Sequence, residues 1–223
     1  MQLPRIYQNY LSSSGISTDT RSLKKGDRFF ALHGEKFNGN QFAEKAILLG
    51  AIKVIVDDQK LASLSPLVIV VKDTLKTLQE LATFHRTKLK TPIIAITGSN
   101  GKTTTKELVR EVLSQKYSVL ATEGNLNNHI GVPLTLLKLK EHHELAIIEM
   151  GANHIKEIEL LCNITQPNWG YITNFGKAHL EGFGSIQEVV KGKSELYEYL
   201  IDRKQKILVK QESLTLQGIQ QYF

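Results

Sequence analysis

Ile96-Thr-Gly-Ser-Asn-Gly-Lys-Thr-Thr-Thr-Lys106 takes over from the short apolar run Pro92 to Thr97 and ends it with two glycines, a lysine and three threonines. A buried strand that runs into such residues serves something other than packing. Closely spaced glycines let backbone N–H groups curl around phosphate oxygens where a side chain would collide, and a helix starting there aims its positive end at the same anion. Read this way, Gly98, Ser99, Asn100, Gly101, Lys102, Thr103 and Thr104 cradle the phosphates of a nucleotide. Lys102 then reaches the terminal phosphates as a point charge, and the Thr103 hydroxyl ligates the accompanying Mg²⁺. The generic pattern G-x-x-x-x-G-K-[ST] assigns its first glycine to the position of Ile96, so this loop departs from it. The plainer alternative is a glycine-rich turn with an exposed lysine. The strand before and the helix after favour phosphate binding.

Working outward, strand and helix patterns alternate beyond Pro92: strands at 93–97, 118–121, 145–149, 169–173 and 206–209, and helices at 103–115, 130–138, 155–162 and 186–200. That order implies an α/β fold with a mainly parallel sheet covered by helices, and ligands at the carboxyl ends of its strands. Upstream lie a polar turn region (Ser12 to Lys25), strands at Arg28 to Leu32, Ile52 to Val56 and Leu67 to Val71, and helices at Gln41 to Leu49 and Leu75 to about Lys88. Lys90-Thr91-Pro92 marks a boundary, so the reading is two domains, 1–90 and 91–223. There is no internal repeat and no low-complexity tract.

Composition permits such an enzyme. In 223 residues, 41% hydrophobic and 22% charged is ordinary for a globular protein with a core. The net charge of +6 comes from lysines scattered along the chain rather than gathered with aromatics, which argues against nucleic acid and leaves an anionic small substrate or plain solubility. The single cysteine, Cys162, sits in an apolar helical pattern with Ile158 and Leu161 and reads as packing in a reducing compartment. No apolar run has the ~18 residues of a membrane span, and Met-Gln-Leu-Pro-Arg-Ile-Tyr7 lacks a signal-peptide core, so the expected location is the cytoplasm.

Three further strand ends carry chemistry. Thr122-Glu-Gly-Asn-Leu-Asn-Asn-His-Ile-Gly-Val-Pro-Leu-Thr-Leu-Leu137 places Asn125, Asn127 and Asn128 before an amphipathic helix. A helix-capping loop is one reading, although three amides in four positions exceed what one cap requires. Glu149 ends an apolar strand, where an acid holds Mg²⁺ as a Walker-B acid does; a solvated strand-end carboxylate is the alternative. Tyr171 to Gly184 is a long glycine-rich loop carrying His179, a structural histidine or a ligand in the layer of Lys102 and Glu149.

Together these blocks resemble the Mur ligases, within them the branch that adds D-alanyl-D-alanine to a UDP-N-acetylmuramoyl-tripeptide. Thr97-Gly-Ser-Asn-Gly-Lys-Thr-Thr104 is similar to the family's short P-loop, which accounts for the missing glycine at 96. Gly124 to Leu137 is the most specific match. Ile148-Glu-Met-Gly-Ala-Asn153 and Thr173 to Gly184 follow in the family's order, and Ser17 to Asn40 is similar to its uridine-binding N-terminal domain. The resemblance runs from about Ser17 to Leu200. It implies a small N-terminal α/β domain for the UDP-substrate and a P-loop ATPase domain, with ATP and Mg²⁺ as cofactors and UDP-MurNAc-tripeptide and D-Ala-D-Ala as substrates. The implied reaction runs through an acyl phosphate, which the incoming amine displaces. Lys102, His179 and Lys193 would be catalytic; Thr103, Glu149 and His179 would hold metal. Lys193 matches the lysine that several relatives carbamylate, a solvated helix lysine being the alternative. Thr20, Arg21, Lys36, Phe37 and Asn38 would hold the UDP end, and Asn125, Asn127 and Asn128 the muramyl-peptide side.

Two features depart from the family. The chain stops at Phe223, before the rest of the ATPase domain and the third domain, and Lys206 to Val209 is not followed by the family's Asn-Ala-Asp-type turn. The expectation is a truncated form, poorly active alone. A related ligase such as folylpolyglutamate synthetase, or a non-catalytic module binding a UDP-muramyl peptide, are the competing readings; the Asn-rich block and Thr18-Asp-Thr-Arg21 argue against the first.

Overall fold

A computed structural model describes residues 2–34, 37–176 and 180–210. The chain divides into two compact units, 1–85 and 86–223.

The first unit opens with α1 (Gln2–Leu11), whose Ile6, Tyr7 and Tyr10 fall three and four apart and are buried. Sequence reading assigned no element there. Then follow β1 (Ile16–Ser17), β2 (Arg28–Phe30), β3 (His33–Gly34), β4 (Phe37–Asn38), α2 (Ala43–Leu48), β5 (Lys53–Val56) and β6 (Val68–Val70). α3 (Thr74–Lys88) carries the chain past the boundary. The sheet runs β1-β2-β5-β6 with every pairing parallel, while β3 and β4 form a small antiparallel ladder. The expected helix at 41–49 is a short 3-10 turn over Gly39–Phe42 leading into α2. Asn38 explains the early start, because its side-chain oxygen accepts from Asn40 N at 3.0 Å and caps the turn. One face of the sheet packs Phe29, Ala31, Val54 and Val56 against Ala43 and Ala46.

The second unit is built as β7 (Ile93–Thr97), α4 (Lys102–Ser114), β8 (Val119–Ala121), α5 (Gly131–Leu136), β9 (Leu145–Glu149), α6 (Glu157–Thr165), β10 (Trp169–Ile172), α7 (Leu180–Phe183), α8 (Ile186–Asp202) and β11 (Lys206–Leu208). Its five strands lie in the order β11-β10-β7-β9-β8, all parallel. β7 and β9 are buried at every residue, as strands covered on both faces must be, which is why Ile93 to Ile96 and Leu145 to Ile148 read as unbroken apolar runs. Ser185 caps α8 by accepting from Glu188 N at 3.2 Å, the Ser-x-x-Glu signature of a helix start. Arg86 ties the end of α3 into this unit, donating to the carbonyls of Leu89, Thr91, Thr165 and Gln166.

Candidate functional site

The loop after β7 sits at the carboxyl edge of the second sheet, on its central strand. Gly98 takes φ +139°, and a Cβ there would lie 2.0 Å from Thr173 Oγ1, so only glycine fits. The loop that follows β10 braces the turn: Ser99 N donates to Asn174 O at 3.1 Å, Asn100 N to Asn174 Oδ1 at 3.1 Å, and Thr173 Oγ1 to Asn100 O at 2.6 Å. Thr97 Oγ1 donates to Met150 O at 2.8 Å and ties the ends of β7 and β9 together. Gly101 then turns the chain into α4, with Thr103 and Thr104 exposed in its first turn. The Lys102 ammonium curls back onto Gly98 O at 2.8 Å and Ser99 O at 3.2 Å. Burial lowers its pKa, opposed by the nearby Glu149 carboxylate.

Glu149 closes β9 opposite Ile96 and is 1% exposed. Its Oε1 accepts from Asn127 Nδ2 at 2.8 Å, and its backbone N donates to Thr122 Oγ1 at 2.9 Å. Its Oε2 is buried without a hydrogen-bond partner. Such an oxygen is costly to desolvate unless a cation takes it, so the carboxylate fits a divalent ion. Among the described residues no three His, Cys, Asp or Glu side chains converge. Mg²⁺ usually takes one or two carboxylates and completes its shell with phosphate and water.

Lys193, on α8, is 1% exposed and donates to Ala152 O at 2.9 Å, with its ammonium 5.2 Å from the centre of the Phe183 ring. Burial, with the Lys102 charge adding to it, pushes its pKa from 10.5 down to about 8. Two residues on, both Glu195 oxygens accept backbone N–H groups at the start of α6, from Lys156 at 2.6 Å and Glu159 at 2.9 Å. Lys156 itself holds φ +73°, a conformation uncommon outside glycine.

The three asparagines take separate roles. Asn128 Oδ1 accepts from Ile130 N at 3.0 Å and Gly131 N at 2.9 Å and caps α5; Asn127 turns to Glu149; Asn125 is exposed. A cavity of about 360 Å³ lies here, lined by Lys102, Asn127, Asn128, Gly151, Asn153 and Glu157 among others. His179 lies outside the described residues.

The first unit holds a second cavity, of about 560 Å³, lined by Thr20, Arg21, Phe37, Phe42 and Lys45. Phe37 and Phe42 stack with centroids 5.7 Å apart and planes 17° from parallel, giving a flat apolar wall. Arg21 grips Asp19, Nη2 to Oδ2 at 2.6 Å, and holds that carboxyl down at about 2. Thr20 is buried, Asn38 is spent on its cap, and Lys36 lies outside the described residues. Sequence reading missed Lys45 here. It also missed Lys106, which is fully buried one helical turn after Lys102 and donates to Thr122 O at 2.5 Å. Its i+4 spacing from Lys102 was the available signal.

The family profile described as the Mur ligase middle domain matches residues 96–221, and that described as the Mur ligase family, catalytic domain, matches residues 12–86. The chain belongs to the Mur ligase family. It is 47% identical over 189 residues to the UDP-N-acetylmuramoyl-tripeptide--D-alanyl-D-alanine ligase of Haemophilus influenzae, an alignment covering 83% of this chain and 41% of the relative. The crystal structure of MurF from Acinetobacter baumannii superposes with a TM-score of 0.78 at 36% identity, covering 88% of this chain and 46% of that one. MurF ligase from Thermotoga maritima in complex with ADP superposes with a TM-score of 0.77 at 32% identity, covering 85% and 44%. The chain therefore spans less than half the length of these Mur ligases. Among its described residues no helix is long and apolar enough to cross a membrane.

Proposed function

We propose that this chain carries the nucleotide and UDP-substrate sites of an ATP-dependent amide ligase joining D-alanyl-D-alanine to UDP-N-acetylmuramoyl-tripeptide in the cytoplasm. The observation that carries the reading is Glu149, buried beside the P-loop lysine with one carboxylate oxygen unpartnered. Mg²⁺, when bound, neutralises charge on the β- and γ-phosphates. Thr103 and Glu149 would hold one ion, and His179 a second. Lys102 would exchange the carbonyls of Gly98 and Ser99 for phosphate oxygens. Phosphoryl transfer asks mainly for such positioning and charge neutralisation. The γ-phosphoryl group passes to the substrate carboxylate and ADP leaves; the dipeptide amine then forms the C–N bond, loses a proton and expels phosphate. Lys193, held partly neutral near pH 8, is suited to add CO₂ and become a carbamate. Thr20, Arg21, Lys36, Phe37 and Asn38 would take the UDP end, with Asn125 and Asn128 toward the muramyl-peptide side.

Calorimetric titration tests this. The chain should bind MgATP and UDP-MurNAc-tripeptide. Lys102→Ala should weaken the first by roughly ten- to a hundredfold, the loss of a charged hydrogen bond, and spare the second. Binding of a folate with none of the muramyl peptide would overturn the assignment.

A further inference from the structure

We propose that Asn127 is a positioning residue that aims Glu149 at the nucleotide-bound metal, rather than a contact to the substrate. The inference rests on the nucleotide reading of the site. A carboxylate that must ligate a cation through one oxygen is best held by its other oxygen, and the partners that hold a ligand commonly matter nearly as much as the ligand itself. Asn127 Nδ2 donates to Oε1 at 2.8 Å and leaves Oε2 as the buried oxygen with no partner. The amide has little freedom to do anything else. Gly151 N donates to Asn127 O at 2.8 Å, and a Cβ on Gly151 would lie 2.8 Å from Asn127 Oδ1 and 3.2 Å from Nδ2, so the side chain is pressed against backbone where no larger residue fits. Asn127 N donates in turn to Asn125 O at 2.8 Å. Thr122 fixes the Glu149 backbone through Oγ1, and the buried Lys106 ammonium holds Thr122 O. Glu149 is thus held at its backbone by the residue after β8 and at its carboxylate by the loop before α5, with Oε2 left without a partner. An amide suits this task better than a cation would, because it donates without neutralising the charge the metal needs.

The proposal separates metal-dependent from metal-independent nucleotide affinity. ATP is titrated into the chain with excess Mg²⁺ and with EDTA, for the parent, Asn127→Ala, Glu149→Gln and the double variant. Asn127→Ser, still polar but too short to reach Glu149, serves if the alanine variant does not fold. The parent should gain affinity from Mg²⁺; Asn127→Ala should lose about tenfold or more of that gain and keep its affinity in EDTA. In the Glu149→Gln background the Asn127 substitution should change nothing further. Equal weakening with and without Mg²⁺, or a full additional loss on top of Glu149→Gln, would overturn the proposal and make Asn127 a phosphate contact or a general support. A parent with no Mg²⁺-dependent gain would instead defeat the metal reading of Glu149, and this role with it; a failure of the Asn127 role alone shows only in the variants.

Discussion

In the first unit the charges lining the cavity stand in water, with the Arg21 side chain 87% exposed and that of Asp19 39%. In the second unit Glu149, Lys193 and Lys106 are each exposed by 1% or less. Charges in water keep their hydration and can reorient around a ligand; charges buried on a parallel sheet have given up that hydration in advance and are held by named bonds. The first arrangement suits recognition, where on the proposed reading Arg21 would exchange Asp19 for a phosphate. The second suits chemistry, because a preorganised, water-poor site needs no reorganisation as charge moves. The contrast also assigns the burden of stability. The buried charges depend on the sheet beneath them, and the exposed ones depend on little.

The sharpest way to break this contrast is through the sheet. Ile147→Ala, at a fully buried position on β9, should lower stability by about 2–5 kcal/mol in denaturant titration. A loss near zero would mean the strand carrying Glu149 is not the rigid support described.

A smaller effect should appear in pH. Lys193 has its pKa lowered from 10.5 to about 8 in the folded chain. Below pH 8 both states hold the proton and the burial penalty is present in full. Between about 8 and 10.5 the unfolded state still binds a proton that the folded state has released, so stability rises with pH across that window. Lys193→Met should remove this rise. The comparison is the difference in unfolding free energy between parent and variant at pH 7, 8, 9 and 10; parallel curves would place Lys193 in contact with solvent.

The smallest effect belongs to the first unit. Arg21→Ala should leave the denaturation midpoint unmoved, since an exposed ion pair contributes little, while weakening UDP-MurNAc-tripeptide binding. A clear fall in midpoint would show that the Arg21–Asp19 pair holds the fold as well as the cavity.

What could be read from sequence follows the range of the interactions. β7, its glycine loop and α4 were legible because the apolar run, the glycines and the helix pattern are contiguous, and the parallel order followed from alternating elements. Glu149 was legible as a strand-end acid. The 3-10 turn at Gly39–Phe42 and the two-residue strands β3 and β4 are too short to leave a period. α1 carries its spacing in three buried residues, Ile6, Tyr7 and Tyr10, among polar neighbours in a ten-residue helix, a weak signal. The partners of Asn127, Lys106 and Glu195 could not be read, because they lie 22, 16 and 36 to 39 positions away in the chain. Three asparagines in four positions signalled an unusual loop without saying which one turned inward.

The place of β7 in the sheet has a consequence for how the protein is made. Its neighbours are β9 and β10, with Ile94 paired to Ile147 on one side and Trp169 on the other. Both come later in the chain than the glycine loop they support. During synthesis at about 5–20 residues per second, Ile93 to Ile96 must wait several seconds for either partner, with an apolar strand unpaired on both edges. Non-local parallel pairing of this kind is slow and aggregation-prone. The glycine loop, though early in the sequence, therefore cannot take its final shape until Thr173 and Asn174 have arrived.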